Sequence, residues 1–296
     1  LVYLPTFDAE PWVTAAVTER VSHAMVVPTM LGRILDVLEM RDARLPSLCH
    51  LSYGGGRMPI EVIERAMELL PHVDFVNAYG LTETSSTVAL LGPEEHRAAR
   101  ASENETGRAR LRSVGRPLPS VEVEIRGADG VVVPVGERGE VYVRGEQVAG
   151  EYLGRSVLTD DGWFPTNDAG YLDAGGFLYL DGRLDDVIVR GGENLSPGEI
   201  EDVLMEHEAV AAACVVGVPD PQWGEAVAAS VVLTTGAQTD ETELRSWVRA
   251  RLRSTKTPDV IEFRDELPYT ETGKLLRRIV RDELAPRKEP RPSQIP

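Results

Sequence analysis

The stretch NAYGLTET, residues 77–84, brings together side chains that could bind a nucleotide. The ring of Tyr79 could stack on a base, and the carboxylate of Glu83 could hold Mg²⁺. A hydroxyl of Thr82 or Thr84 could bond a phosphate. The same residues also suit an ordinary helix start with Thr82 or Thr84 as the N-cap. The residue types alone leave both interpretations open.

Two further segments carry candidate ligand contacts. In SYGGGRMP, residues 52–59, three glycines follow an apolar run and would let a flat ligand approach the backbone, although a tight turn needs the same residues. In residues 162–183, Asp168 lies between two apolar runs and Arg183 follows the second. A carboxylate can accept hydrogen bonds from both vicinal hydroxyls of a ribose. The alternative for Asp168 is ordinary turn chemistry.

A lysine close to the end of the chain is the last candidate. Lys274 follows Gly273 in LPYTETGKLLRR, residues 267–278. A lysine beside a glycine can reach into a site as a mobile point charge, and the competing interpretation is a solvated basic helix start. Before it lies GRLDDVIVRGGENLSPGEIE, residues 182–201, which carries more charge and glycine than a plain connector needs.

The apolar pattern predicts the elements that position these residues. From 11 to 110, helical and strand periodicities alternate, which is typical of a parallel sheet that binds ligands at the carboxyl ends of its strands. From 113 to 181, short strands alternate with Gly, Pro and Asp turns, which indicates a mostly antiparallel region. After 182, helices and strands return in a small α+β region.

Composition limits the partners. The formal charge of −17 at pH 7, from 31 basic and 48 acidic residues, disfavours nucleic acid and anionic membranes. No apolar run approaches the roughly 18 residues of a membrane-spanning helix. Cys49 and Cys214 lie far apart, without metal-type spacing, and are expected to be reduced thiols. Reduced thiols favour a cytoplasmic location.

Four segments, in this order, resemble the ANL superfamily of adenylate-forming enzymes, which comprises acyl- and aryl-CoA synthetases, adenylation domains of peptide synthetases, and luciferases. They are YGLTET, GEVYVRG followed by GEYL, GRLDDVIVRGGENLSPGEIE, and PYTETGKLLRR. The third segment is the most specific and looks most like the acyl-CoA synthetase branch. The match extends over nearly the whole chain.

The resemblance implies an α/β fold class with three parts. Residues 1–112 would be a partial parallel α/β subdomain of the large AMP-binding domain, and residues 113–183 a mostly antiparallel, β-barrel-like subdomain of the same domain. Residues 186–285 would form a small mobile α+β C-terminal lid domain, followed by a disordered tail, 286–296. The family's Ser/Thr/Gly-rich phosphate loop does not occur in the sequence, so the match corresponds to the C-terminal portion of the family pattern.

The resemblance also implies roles for single residues in nucleotide binding. The positions that match the nucleoside site are Gly54, Gly55 and Gly56 along the adenine, Tyr79 on the adenine ring, Asp168 on the ribose hydroxyls, and Arg183 beside it. Thr82 would contact the α-phosphate, and Glu83 would be the Mg²⁺ ligand. Asn167 departs from the pattern, because family members usually have Gly or a basic residue before the ribose aspartate.

Further roles concern the lid. Asp185 matches the hinge about which the small domain rotates, and no role is assigned to Asp186 beyond a solvated surface. Gly191 and Gly192 match the face beside the pantetheine tunnel in the thioester-forming pose. Lys274 matches the lysine that stabilises the adenylation transition state. The two half-reactions would use one active site by domain alternation.

The implied activity is that of an AMP-forming acyl-CoA synthetase, an acid–thiol ligase that uses ATP, Mg²⁺ and coenzyme A. A carboxylate attacks the α-phosphate of ATP to give acyl-AMP and pyrophosphate, and the CoA thiol then displaces AMP. The partners would be a small-molecule carboxylic acid, ATP and coenzyme A, and a homo-oligomer is left open. Alternatives are an adenylation domain that loads a carrier protein, a non-catalytic AMP- or ATP-binding module, and a bare structural fragment. Without a phosphate loop, this chain by itself is expected to adenylate poorly.

Overall fold

The structure, a computed structural model, describes residues 1–149, 151–152, 155–270 and 275–285. The described chain forms two compact units, the first over Leu1–Asp185 and the second over Asp186–Tyr269 and onward from Leu275. Lys274 and the tail 286–296 lie outside the described residues, so the expectations for them stay predictions.

The first unit opens with a five-stranded mixed sheet of order β1-β2-β3-β4-β5. Its strands are β1 His23–Val26, β2 His50–Gly54, β3 Asp74–Leu81, β4 Ser86–Leu91 and β5 Arg116–Pro117. Its helices are α1 Ala9–Thr18, α2 Pro28–Met40, α3 Ile60–Leu69, α4 Pro93–Arg100 and α5 Glu105–Ala109. The predicted parallel pairing is confirmed for β1, β2 and β3, whereas β4 and β5 add antiparallel pairs.

Helix α2 shows why the first sheet is covered by helices. It begins at Pro28, whose fixed φ suits the first helical position. Its residues Leu31, Ile34, Leu35 and Leu38 recur at helical spacing, and all four are buried in the core of the unit. Each such side chain contributes about 1.5–3 kcal/mol by leaving water. The helix therefore packs into the same buried core as Val26 of β1 and Leu51 of β2.

The second sheet of the first unit is antiparallel, with order β11-β10-β7-β6. Its strands are β6 Val121–Arg126, β7 Gly139–Gly145, β10 Phe164–Leu172 and β11 Leu178–Arg183, and a two-stranded pair comprises β8 Glu151–Tyr152 and β9 Arg155–Ser156. In the described residues this sheet is open, with β6 and β11 at its edges, which corrects the barrel-like expectation. Four strands are fewer than the roughly five to eight that close small barrels.

The second unit is an α+β sandwich. In chain order it contains β12 Ile188–Arg190, β13 Glu193–Leu195, α6 Pro197–Met205, β14 Val210–Asp220, β15 Gly224–Leu233, α7 Glu241–Arg251, β16 Val260–Phe263 and α8 Arg277–Leu284. Alternate residues of β14 face two different cores. Val215 lies in the core shared with α6 and α7, whereas Cys214 and Val216 lie in the core shared with α8. The sheet is therefore covered on both faces.

Across the described residues, no helix combines the length and apolar composition needed to cross a membrane.

Candidate functional site

The glycine turn and Tyr79 lie side by side at the carboxyl end of the parallel strands. Strands β2 and β3 are paired so that Gly54 is opposite Ala78, one residue before Tyr79. A Cβ atom on Gly54 would lie 2.5 Å from the Ala78 carbonyl oxygen, so strand spacing alone requires glycine there. At Gly56 the nearest neighbour of a Cβ would be Pro28 at 3.9 Å. Packing thus accounts for Gly54 but leaves Gly56 open to a ligand.

Tyr79, Asp168 and Arg183 converge although they come from three strands. The Tyr79 hydroxyl donates to Asp168 Oδ2 at 2.5 Å, and an Arg183 Nη1 donates to Asp168 Oδ1 at 3.1 Å. Asp168 and Arg183 face each other as a cross-strand pair between β10 and β11. The structure therefore brings three of the predicted nucleoside-site residues together around one carboxylate.

Thr166 fixes the direction of the Asp168 backbone. The Thr166 hydroxyl donates to the Val141 carbonyl at 2.8 Å and accepts from the Asp168 N–H at 3.1 Å. Arg183 also donates to the Thr166 carbonyl at 3.1 Å. The pairing of β10 with β7 shifts register between Pro165 and Ala169, so Asp168 is not paired with β7, although it remains paired with Arg183 of β11. Bulges of this kind commonly re-aim a side chain toward a site.

Burial and nearby charges set the electrostatics around Asp168 and Tyr79. Asp168 is 7% exposed, and the guanidinium of Arg183 balances its charge. Burial, reinforced by the carboxylate of Asp168, raises the pKa of Tyr79 well above its ordinary value. The phenol therefore stays a hydrogen-bond donor at any physiological pH. A carboxylate held in place by donors on both oxygens still has lone pairs for ligand hydroxyls.

In the turn after β3, the side chain of Thr84 has a structural role, whereas those of Thr82 and Glu83 remain accessible. Thr84 is fully buried, and its hydroxyl accepts from the Leu81 N–H at 2.9 Å and donates to the Ser86 carbonyl at 2.9 Å. Thr84 therefore closes the turn from its third position, and the N-cap is Leu81, which corrects the expectation that Thr82 or Thr84 is the N-cap. Thr82 is exposed and Glu83 half-buried, so both remain accessible to a ligand.

Asp185, the predicted hinge, ends the range Leu1–Asp185 of the first unit and is hydrogen-bonded to Asn167. The Asn167 side-chain amide donates to Asp185 Oδ2 at 2.9 Å. Asn167 has a φ of 59°, in the left-handed region that Gly and Asn tolerate best. This geometry explains the departure from the family pattern, since Asn can replace Gly at such a position.

Gly191 and Gly192 form the tight turn between β12 and β13. Their φ values are 57° and 84°, which L-residues adopt only at a cost. The Gly191 N–H donates to the Trp223 carbonyl at 2.8 Å, and a Cβ on Gly191 would lie 3.0 Å from the Trp223 ring. A Cβ on Gly192 would meet nothing within 4 Å. Gly192 therefore presents bare backbone to open space.

Arg277, the first residue of α8, forms a charge cluster that the sequence did not reveal. It makes a bidentate pair with Glu201, in which one Nη2–Oε2 contact measures 2.7 Å, and it donates to the Val215 carbonyl at 3.0 Å. Its Nε lies 3.8 Å from a carboxylate oxygen of Asp186. The expectation of a solvated Asp186 is therefore corrected: its charge faces a largely buried guanidinium.

Lys274 is outside the described residues, but the residues on either side of 271–274 are described. Tyr269 and Leu275 form an isolated antiparallel bridge, and the Leu276 N–H donates to the Pro268 carbonyl at 2.9 Å. Arg277 follows directly. The bridge and the Arg277 cluster thus anchor the described residues that follow Lys274 in the second unit.

Comparison with protein families identifies the two halves of the chain. Residues 1–153 match the family model of the AMP-binding enzymes, and residues 199–274 match the C-terminal domain of AMP-binding enzymes. The chain belongs to the AMP-binding enzymes of the adenylate-forming ANL superfamily.

The curated relatives of this AMP-binding enzyme include ligases with different acyl acceptors in their names. The chain is 38% identical over 279 residues to a feruloyl-CoA synthase of an Amycolatopsis species, covering 93% of this chain and 54% of the relative. It is 36% identical over 266 residues to the fatty acid–[acyl-carrier-protein] ligase ScoC of Streptomyces coeruleorubidus, covering 88% and 50%. The chain spans about half the length of the curated relatives it matches.

A solved structure supports the same fold assignment. The amide bond synthetase McbA from Marinactinospora thermotolerans superimposes with a TM-score of 0.85 at 35% identity, covering 96% of this chain and 56% of that one. The parallel sheet, the antiparallel sheet and the α+β unit are therefore those of an AMP-binding enzyme. The match to the family model includes the glycine turn and Tyr79, but Asp168 and Arg183 lie between the two matched ranges.

Proposed function

We propose that the complete protein is an ATP-dependent, AMP-forming carboxylic acid–CoA ligase. The observation that carries the proposal is the cluster of Tyr79, Asp168 and Arg183. Its Asp168 carboxylate accepts from the Tyr79 hydroxyl at 2.5 Å and from Arg183 Nη1 at 3.1 Å. It supplies an aromatic ring, a buried carboxylate and a balancing cation next to an open glycine turn. These are the groups that a purine nucleoside monophosphate requires for its base and its ribose.

The adenosine moiety is assigned to this cluster. The ring of Tyr79 would pack on the adenine, and the oxygens of Asp168 would accept hydrogen bonds from the ribose hydroxyls. Tyr79 and Arg183 hold the carboxylate in position before the ligand arrives, and Thr166 holds the Asp168 backbone, so little ordering entropy is lost on binding. Thr82 is exposed at the end of β3, where it would contact the α-phosphate.

A Mg²⁺ ion fits this chain only together with the nucleotide. Within the described residues no group of three or more His, Cys, Asp or Glu side chains could hold a metal. Glu83 offers one half-buried carboxylate, and Mg²⁺ is commonly held by one or two carboxylates plus substrate phosphates. When bound, the ion would offset negative charge on the phosphate oxygens. Glu83 is the residue of this chain that would hold it.

Lys274 is proposed to stabilise the adenylation transition state. The lysines of the sequence are Lys256, Lys274 and Lys288, and the other basic positions are arginines. Lys274 follows Gly273, and a compact, flexible point charge there suits the negative charge that develops on the phosphate in the transition state. Lys256 is different, because its ammonium pairs with Glu199 at 2.6 Å and is largely buried.

The acceptor of the acyl group is the finer part of the proposal. The names of the relatives include a CoA synthase, an acyl-carrier-protein ligase and an amide bond synthetase. All three acceptors could follow the same adenylation step. Coenzyme A is favoured here because Gly192 presents open backbone in the turn that resembles the pantetheine face. Loading of a carrier protein is the second candidate, supported by the similarity to ScoC.

The test uses the complete protein and separates the two half-reactions. ATP–pyrophosphate exchange, driven by a panel of carboxylic acids, measures adenylation, and thioester formation from supplied acyl-AMP measures transfer to coenzyme A. Lys274→Ala should reduce exchange at least about 100-fold and leave transfer largely intact. Lys256→Arg, which keeps the charge paired with Glu199, is the control and should leave both rates unchanged. Equal loss of both half-reactions in Lys274→Ala would contradict the role of Lys274.

The acceptor is tested in the same preparation. Acyl-AMP is supplied with coenzyme A, with a phosphopantetheinylated carrier protein, or with a primary amine. Transfer to coenzyme A at the highest rate supports the proposal. Faster transfer to the carrier protein would instead establish the second candidate, and preference for the amine would overturn both.

A further inference from the structure

The side chain of Asn167 connects the nucleoside site to the hinge. Asn167 immediately precedes Asp168, and its amide nitrogen donates to Asp185 Oδ2 at 2.9 Å. Its own backbone N–H donates to Glu140 Oε1 at 3.0 Å. The residue is therefore held at both its backbone and its side chain, within the first unit.

Backbone geometry alone does not call for this side chain. A φ of 59° is served at least as well by glycine, which lacks the Cβ that makes the left-handed region costly. Asn adds an amide that a glycine cannot supply, and that amide is committed to the carboxylate of Asp185. The hydrogen bond is charge-assisted, which makes it stronger than a bond between neutral groups.

The same short segment also fixes the proposed ribose acid. The backbone of Asp168 is bonded to Thr166, and Arg183, two residues before Asp185, bonds both Thr166 and Asp168. A displacement of Asp168 or Arg183 on binding a nucleotide therefore reaches Asp185 along the chain from Arg183 and through the Asn167 amide.

We infer that Asn167 is a positioning residue that holds the hinge carboxylate of Asp185 and couples its orientation to occupancy of the nucleoside site. The inference rests on the proposed function and on the hinge role that the family resemblance implies for Asp185. In this protein the balance between the two half-reactions depends on Asn167. A glycine at this position leaves the hinge carboxylate without that restraint.

The decisive variant is Asn167→Gly, because glycine keeps the left-handed backbone and removes only the amide. Asn167→Asp also tolerates the backbone but places a second carboxylate beside Asp185. In the complete protein, both variants should change the ratio of the adenylation rate to the thioester-forming rate by about three- to tenfold, in the same direction. The KM for ATP should stay within about twofold, because Thr166 and Arg183 still hold Asp168.

Asp42→Gly is the matched control. Asp42 is exposed and has a φ of 46°, so this substitution also removes a side chain at a left-handed position, far along the chain from the hinge. It should leave the ratio unchanged. A second readout needs no activity: hydrogen exchange of the backbone amides of residues 183–190 should accelerate about threefold or more in Asn167→Gly. Asp42→Gly should not accelerate it.

The outcomes separate this inference from the proposed function. Asp185→Pro, tested alongside, should impair one half-reaction more than the other. If Asp185→Pro alters the ratio while Asn167→Gly changes neither the ratio nor the exchange of residues 183–190, the inference is overturned and the hinge role stands. If Asp185→Pro leaves both half-reactions unchanged, the hinge role itself is lost.

Discussion

The hydroxyl of Tyr79 lies 2.5 Å from the carboxylate of Asp168, although the two residues are 89 positions apart in the sequence. Tyr79 lies near the carboxyl end of β3 in the first sheet, and Asp168 lies in the irregular strand β10 of the second sheet. Their contact joins the two sheets at the place where the nucleoside is proposed to bind. The two sheets of the first unit therefore contribute complementary parts, an aromatic surface and an anionic acceptor.

The ring and the hydroxyl of Tyr79 should contribute separately to nucleotide binding. Tyr79→Ala removes the stacking surface and should weaken AMP binding by about 10-fold or more, since stacking of a base on an aromatic ring is worth about 1–3 kcal/mol. Tyr79→Phe keeps the ring, and Arg183 and Thr166 still hold Asp168, so the loss should be within about threefold. Calorimetric titration with AMP measures both. Equal losses in the two variants would show that the ring does not stack.

The Arg277 cluster should dominate the stability of the second unit. Arg277→Met leaves the buried carboxylate of Glu201 without its partner, and breaking such a pair should cost about 3 kcal/mol. Arg278→Met removes the same charge from an exposed neighbour and should change the free energy of unfolding by less than about 0.5 kcal/mol. Urea unfolding compares the two variants. Equal midpoints for Arg277→Met and Arg278→Met would contradict the buried-pair account.

His96 should make the first unit less stable as the pH falls. Its Nδ1 donates to the Gly92 carbonyl, and its Nε2 is hydrogen-bonded to the Tyr53 hydroxyl, each at 2.8 Å, in a buried environment that favours the neutral imidazole. Burial lowers the pKa of His96 from 6.5 to about 4. The unfolded imidazole therefore takes up a proton near pH 6.5, whereas the native one does not until about pH 4. Lowering the pH through this window favours unfolding.

The expected slope is up to about 1.4 kcal/mol per pH unit between these two values. Hydrogen exchange of the amides in β2 and β3, measured at pH 7 and pH 5 and corrected for intrinsic rates, reports the stability of this region. His96→Gln lacks the titrating group and should show a shallower slope than the native chain. The same slope in both proteins would rule out His96 as the source.

The regular parts of the fold could be predicted because their signals are local. The spacing of Leu31, Ile34 and Leu35 predicts α2, and the alternation of helix and strand predicts the parallel pairing of β1 to β3. Strands β4 and β5 could not be predicted in this way. β4 begins at Ser86, and both Ser85 and Ser86 have a positive φ although glycine, the usual marker of such a turn, is absent. β5 comprises only two residues, too few for a periodicity.

The residues around the site show a different limit. Asp186 pairs with Arg277, and Tyr53 with His96, across separations that no periodicity records. In the sequence, Asn167 only departs from the family pattern of Gly or a basic residue before the ribose aspartate. Its left-handed φ and its hydrogen bond to Asp185 can be seen only in the structure. Sequence could indicate which residue types suit a nucleotide, but their partners depend on the packing of distant strands.

Recognition of the ribose by Asp168 is the central claim, and one calorimetric experiment tests it most directly. The chain is titrated with AMP and with 2′,3′-dideoxy-AMP, which lacks both hydroxyls, and the titrations are repeated with Asp168→Asn. Asp129→Asn, an exposed loop carboxylate in the same unit, is the control.

Loss of the ribose hydroxyls should weaken binding about 10-fold or more in the native chain and in Asp129→Asn, because hydrogen bonds to a charged group are worth about 1.5–3 kcal/mol. In Asp168→Asn, the two nucleotides should bind with affinities that differ much less. Equal affinity of AMP and 2′,3′-dideoxy-AMP for the native chain would contradict the account.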